Sequence, residues 1–362
     1  MAESRCEMKK EIGSIFPLSN EAISMAEQSF CSLSEDRLYY SLCRESMYDI
    51  AKSLSYTNRC VLIPAYTCQT VITPFVEAGW KCKYYAIHNN LRVDVDHLFK
   101  LVKENQPSLI VTHPYFGMDL NEEEISAFHA LHHSGIRIVL DLTQCIFSEG
   151  NTRFADYVVA SYRKWFPISD GGFLMQKVHV PKIQQPQEEN IKFTELELSA
   201  MYLRGQYFAN GEQRTKDISI KLSKTADHVA ESNIVPHRIS QIAYNMLNKQ
   251  DITYNIKSRY SNYSYLFKKV KEGKMIKKVC QNIDDVTTAP LYFPIYVKDR
   301  LSLQHKLAQD AIYAPVIWPV EDDGVLINDE IQYIYDHLLA IPCDQRYEEQ
   351  DMQRVVEIIN NY

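Results

Sequence analysis

The segment Ile136–Met175, IRIVLDLTQCIFSEGNTRFADYVVASYRKWFPISDGGFLM, constrains this chain more than any other. It holds two short apolar runs, Ile136–Leu140 and Tyr157–Ala160, both rich in β-branched residues. Runs that are apolar at nearly every position and too short for helices read as strands buried on both faces of a parallel sheet. Each run ends in polar side chains. Asp141 closes the first and Gln144 follows; Ser161, Arg163 and Lys164 close the second, ahead of the turn Asp170-Gly171-Gly172. Ligands of open α/β sheets sit beyond the carboxyl ends of the strands, so a carboxylate, an amide, a hydroxyl and an amine should converge on one crevice. Taken singly, Asp141 would be an ordinary turn or cap residue and Lys164 a solvated surface group. Their joint occurrence at two strand ends favours a site.

The surrounding chain alternates strand and helix from about residue 60 to 177. Val61–Pro64, Lys81–Ile87 and Ser108–Pro114 read as strands, and Val95–Glu104 as a helix. Asn121 and Glu124 are placed to cap a helix running through His132. The pattern predicts a large, mostly parallel α/β domain with helices on both faces, over residues 36–235. Residues 1–35 read as a polar N-terminal helical segment without chemistry. Residues 178–235 lean helical with no clear strand. A small α+β C-terminal domain is predicted over 236–362. Its elements are a long helical stretch from Ser240 through Tyr263, strands at Leu291–Val297 and Ile312–Trp318, a helix at Leu301–Asp310 and a final helix after Asp351.

Pyridoxal phosphate needs an amine, an anion for its pyridinium nitrogen, a donor for its phenolate oxygen and donors for its phosphate. Lys164, Asp141, Gln144 and Ser161 supply these in turn. The chain also resembles the fold-type-I pyridoxal phosphate enzymes, and within them the DegT/DnrJ/EryC1/StrS sugar aminotransferases. The matching residues are Asp141-Leu142-Thr143-Gln144, Ala155-Asp156-Tyr157, and Ser161-x-x-Lys164 followed by Asp170-Gly171-Gly172. Most sugar aminotransferases space that Ser and Lys five apart; the interval of three is closer to the aspartate aminotransferase pattern. The resemblance implies that Lys164 is the catalytic anchor and that Asp141, Gln144 and Ser161 bind cofactor. It assigns the phosphate-binding turn to Cys43-Arg44-Glu45, at the start of a helix where free N–H groups meet an anion. Cys68 falls at the position covering one ring face, with Tyr66 the nearest aromatic. His113 and Tyr115, at a strand end, are candidate substrate contacts, as are Arg238 in Pro236-His237-Arg238 and Arg346 in a polar loop. Arg259-Tyr260-Ser261-Asn262-Tyr263 resembles the family's Arg-x-x-Asn-Tyr.

The implied activity moves an amino group from glutamate or glutamine to a keto group of a nucleotide-linked sugar or similar metabolite. The implied setting is cell-surface polysaccharide or secondary-metabolite biosynthesis, in a cytoplasmic homodimer. Two alternatives stay open: a catalytically inactive member acting in binding or assembly, and a pyridoxal phosphate enzyme of another reaction type. Composition narrows the partners. The 362 residues carry a formal charge of −7 with no dominant basic block, which disfavours nucleic acid. Lys268–Lys278 reads as the solvated end of a helix. Nine cysteines, an odd number without CxxC spacing, argue against a disulfide framework or structural zinc, and no metal is expected. No signal peptide or run long enough for a membrane span is visible.

Overall fold

The computed structural model describes residues 9–27, 32–33, 35–148 and 152–362. Its centre is a seven-stranded sheet. In spatial order the strands are Leu38–Tyr40, Gly172–Gln176, Tyr157–Ser161, Arg137–Asp141, Leu109–Thr112, Cys60–Pro64 and Lys81–Tyr85. The last five run parallel, while Gly172–Gln176 is antiparallel to both its neighbours. The fold is therefore the mostly parallel α/β sheet that the apolar runs predicted. Every residue of Tyr157–Ser161 and of Cys60–Pro64 is buried, as strands covered on both faces must be.

Helices Cys43–Ser53, Gln69–Glu77, Val95–Asn105 and Glu122–His133 connect the strands. The Asn121 cap has the predicted reciprocal form: Glu124 N–H donates to Asn121 Oδ1 at 2.9 Å, and Asn121 N–H to Glu124 Oε2 at 2.8 Å. The region after Gly172–Gln176 folds into two long helices, Ile191–Asn210 and Gln213–Glu231, turned back on one another at Gly211 in the left-handed conformation.

The stretch from Ser240 is two helices, Gln241–Leu247 and Ile252–Lys269, because Asp251 caps a new start by accepting from Tyr254 N–H at 2.9 Å. Three antiparallel strands follow, in the order Leu338–Pro342, Tyr292–Val297, Ile276–Lys278. Ile276–Lys278 corrects the reading of that lysine-rich stretch as helix end, since the helix stops at Lys269. Helices Arg300–Gln309 and Asp329–His337 pack against this sheet, and Glu349–Asn360 packs on Arg300–Gln309 and Ile252–Lys269.

Of the predicted strand Ile312–Trp318 only Ile312–Tyr313 pairs, and its partner is Ile12–Gly13 near the N-terminus. That pairing overturns the purely helical reading of the first 35 residues, although Asn20–Glu27 is helical. Buried Ile12 and the Gly13 N–H, which donates to Tyr347 Oη at 2.6 Å, tie this segment to the C-terminal elements. Among the described residues, no helix is long and apolar enough to cross a membrane.

Candidate active site

Four loops leave the carboxyl ends of adjacent parallel strands on one edge of the large sheet: 65–68, 113–117, 142–148 and 162–171. Together with the strand ends Asp141 and Ser161 they carry most of the predicted residues. Asp141 ends its strand and is buried. Burial pushes its carboxyl up; hydrogen bonding from Thr143, whose N–H donates to Oδ1 at 2.8 Å, and the nearby Lys164 charge pull the other way. The net direction is upward. Phe116 N–H donates to Gln144 Oε1 at 3.0 Å, which fixes the amide oxygen and leaves its NH2 as the group offered to the cavity. Phe116 and Gly117 take positive φ, of 50° and 89°, to make that turn.

Lys164 closes a short 3-10 turn, Tyr162–Lys164, and projects into a cavity of about 850 Å³. The next residue anchors it. Trp165 is fully buried and its Nε1–H donates to the Thr143 carbonyl at 2.7 Å, so the lysine turn is latched to the loop carrying Asp141. Ser161 N–H donates to Thr143 Oγ1 at 3.1 Å and makes a second latch. Asp170 is buried and accepts from Ser240 N–H at 2.7 Å and Ser240 Oγ–H at 2.6 Å, which holds the far end of the turn.

Cys43 and Arg44 start the helix Cys43–Ser53 beside this set. A Cβ on Gly172 would lie 2.7 Å from the Cys43 nitrogen, so only glycine lets the strand and the helix start approach this closely. Burial, and then the Asp141 carboxylate, push the Cys43 thiol well above its usual range. Burial, and then the neighbouring Arg163, lower the Arg44 guanidinium. Cys68 is the N-cap residue of Gln69–Glu77 and lines the cavity. Arg163, Lys164 and the helix start at Cys68 therefore line one end of the cavity, with the Arg44 guanidinium close to Arg163, an arrangement suited to an anion.

Other predicted residues are placed differently. Glu45 faces its own helix start and His237: it accepts from Leu42 N–H at 3.3 Å and His237 N–H at 3.1 Å, with His237 Nδ1 at 3.6 Å. It is a cap, correcting its assignment to the phosphate turn. Arg238 pairs with Glu189 at 2.6 Å and donates to the Gln187 carbonyl, away from the cavity. Tyr66 and Tyr115 are buried in an aromatic cluster with Trp318 and Tyr335, the Tyr115 hydroxyl donating to the Tyr66 carbonyl at 2.6 Å. Trp318 is the member of that cluster that lines the cavity. His113 is buried, 3.1 Å from Thr67 Oγ1 and edge-on to Tyr115. Burial, and then the Lys164 charge, hold it down to about 3, so it is neutral. Arg346 lines the cavity, yet it is engaged by Asp344 at 2.8 Å and lies over Phe16.

The sequence reading missed three contributors: Arg163, the two helices of 191–231, and Gly13–Phe16, all of which line the cavity. Arg163 carried a signal, a second cation next to the anchoring lysine; the others carried none. At the opposite edge of the sheet His132, Asp156 and His179 come within metal-ligand reach of one another. Arg137 Nη1 already sits 2.9 Å from the shared Asp156 oxygen, so that carboxylate is charge-balanced by protein.

No family model and no curated protein matches the chain. Solved structures do. PseC from Helicobacter pylori, an aminotransferase involved in the biosynthesis of pseudoaminic acid, superposes with TM-score 0.68 at 11% identity, over 97% of this chain and 99% of that one. A DegT DnrJ EryC1 StrS aminotransferase from Brucella abortus gives TM-score 0.63 at 14% identity, over 94% of each chain. NtdA from Bacillus subtilis, solved with bound cofactor PMP, gives TM-score 0.63 at 13% identity, over 98% of this chain and 86% of that one. The chain shares the fold of these three proteins.

Proposed function

We propose that this protein is a pyridoxal phosphate-dependent aminotransferase that delivers an amino group to a keto sugar. The observation that carries the reading is the convergence of buried Asp141, the oriented Gln144 amide and Lys164 on one latched sheet edge, beside the Arg44–Arg163 cation pair. These groups fit the cofactor on chemistry: a buried carboxylate for a ring cation, an NH2 whose oxygen is already engaged, an amine open to the cavity, and cations with helix N-termini for a phosphate. The fold adds support, since NtdA carries PMP in its own structure.

The bound cofactor would supply an electron sink for a carbanion next to the transferred nitrogen. The chain's own residues do the rest. Lys164 Nζ would anchor the cofactor, and its amine is the group placed to move a proton as base and as acid. Asp141 would pair with the ring cation, which would offset the upward push of burial on its carboxyl, and would keep that cation protonated. Gln144 would donate to the phenolate oxygen. Ser161, Arg44 and Arg163 would hold the phosphate, and Cys68 with neutral His113 would face the ring. Donor and acceptor are the small-molecule partners: glutamate or glutamine, and a keto sugar on a nucleotide.

The test is a near-ultraviolet and visible absorbance spectrum with added pyridoxal phosphate, wild type beside Lys164→Ala. A visible band that bleaches with glutamate in the wild type alone is the expected result. No band at any cofactor concentration would remove the enzyme reading and leave a binding or assembly protein.

A further inference from the structure

The carbonyl that follows the anchoring lysine is held by two side chains from the C-terminal part. Tyr162–Lys164 is a single 3-10 turn, which the Trp165 N–H closes onto the Tyr162 carbonyl at 2.9 Å. So short a turn leaves its last carbonyls without partners of its own. Trp165 is fully buried, so its carbonyl must be met by protein. Gln345 Nε2–H donates to it at 2.7 Å, and Arg259 Nη2–H reaches it at 3.4 Å. The Arg259 guanidinium also lies over the Trp165 ring, 4.5 Å from its centroid.

Both side chains are costly where they stand. Arg259 is 1% exposed, and its hydrogen bonds among the described residues go to carbonyls: those of Trp165, of Pro290 at 3.3 Å and of Leu291 at 3.2 Å. Burial lowers the guanidinium, with Asp344 the leading charge that pulls the other way. Gln345 makes its one described side-chain hydrogen bond to Trp165, and its Oε1 is buried without a partner. Apolar side chains of similar size would fill these positions without such penalties. What the polar groups supply is a fixed direction for one carbonyl. One helix face sets both. Arg259 and Asn262 lie three apart on Ile252–Lys269, and Asn262 Nδ2 donates to the carbonyls of Asp344 at 3.0 Å and Tyr347 at 2.9 Å, on either side of Gln345.

We propose that Gln345 and Arg259 are positioning residues for Lys164: by fixing the Trp165 carbonyl they fix the turn from which the lysine enters the cavity. The chemical role of the positioned amine rests on the aminotransferase reading, whereas the positioning rests on the contacts at Trp165. The bond lengths rank the pair, with Gln345 holding the carbonyl and Arg259 steadying the ring. Arg259 also lines the cavity, while Gln345 reaches Lys164 through Trp165, so Gln345→Met is the cleaner variant.

The test compares wild type with Gln345→Met, Arg259→Met and, as a structural control, the helix-cap variant Asp251→Ala. The rate at which acetic anhydride modifies Lys164 is measured without cofactor, by mass spectrometry of its peptide against the other lysines. The pH midpoint of the visible band is then recorded with pyridoxal phosphate, and urea midpoints are taken on the same samples. In Gln345→Met and Arg259→Met, Lys164 should react about threefold faster and the band midpoint should move by about half a pH unit. Asp251→Ala should move neither, although it is less stable. Arg259→Lys, which keeps the charge without the flat face over Trp165, replaces Arg259→Met if that variant does not fold, and should shift the same readouts in the same direction. Rates and midpoints equal to wild type in the folded variants, or the same displacement in Asp251→Ala, would overturn the positioning role and leave the cofactor reading intact. No visible band in any protein, with Lys164 still faster in Gln345→Met, would instead sink the cofactor reading and leave the positioning standing.

Discussion

His113 is a histidine that cannot afford its proton. It is buried between Thr67 and Tyr115 and faces the Lys164 ammonium, and these surroundings hold it down to about 3. The folded state therefore takes up this proton far less readily than the unfolded chain, whose histidines titrate near 6.5. Its contribution to stability is complete above about 6.5 and is lost as pH falls toward 3, at about 1.4 kcal/mol per pH unit. Urea unfolding at pH 7.5 and pH 5.0 checks this. Wild type should lose about 2 kcal/mol more between those conditions than His113→Gln, and equal losses would show that the histidine is protonated without penalty. Asp141 has the opposite sign. Its raised carboxyl favours the protonated form in the unliganded fold, so its contribution is present at low pH and declines as pH rises past the ordinary carboxylate range. A bound ring cation would reverse that preference.

The contact between the strand Gly172–Gln176 and the helix Cys43–Ser53 has almost no slack. Gly172→Ala would drive a methyl to within 2.7 Å of backbone nitrogen, so the helix start must retreat; a loss of about 1–3 kcal/mol follows, with weaker cofactor uptake. Asp251→Ala makes the control: it removes the cap of Ile252–Lys269 at a cost of about 1 kcal/mol and should leave uptake unchanged. Denaturant midpoints and the visible band separate the two, and equal uptake in both variants would rule out a positioning role for the close approach. The same comparison explains what could be read in advance. Arg137–Asp141 and Tyr157–Ser161 were readable because the middles of buried parallel strands are apolar, and their polar ends mark the site edge. The cavity wall was not, because Lys216, Ser223 and Asp227 at helical spacing look like any solvated face until a second helix and the N-terminal segment close over it. Glu45 misled for a related reason: an acid in the first helical turn serves a cap as readily as a ligand.

The apolar core is continuous from the large sheet through Trp165 and Tyr263 to the C-terminal strands, with Ile12 joined to Ile312. The cavity lies across this core: it is lined by the lysine turn, by Gly13–Phe16, and by Tyr292, Tyr313 and Arg346 from the C-terminal part. A ligand seated against Lys164 thus draws on elements from both ends of the chain, and what it stabilises is the whole fold. Binding to the folded state alone adds about 2.7 kcal/mol at a free cofactor concentration a hundredfold above Kd. Scanning calorimetry with and without pyridoxal phosphate should therefore show one transition displaced upward as a unit by several degrees. Lys164→Ala, which keeps Asp141, Gln144 and the cation pair but loses the covalent anchor, should show a smaller displacement at the same concentration. If the thermogram instead splits, with a lower transition that the cofactor leaves in place, the two halves unfold separately and the shared core does not couple them.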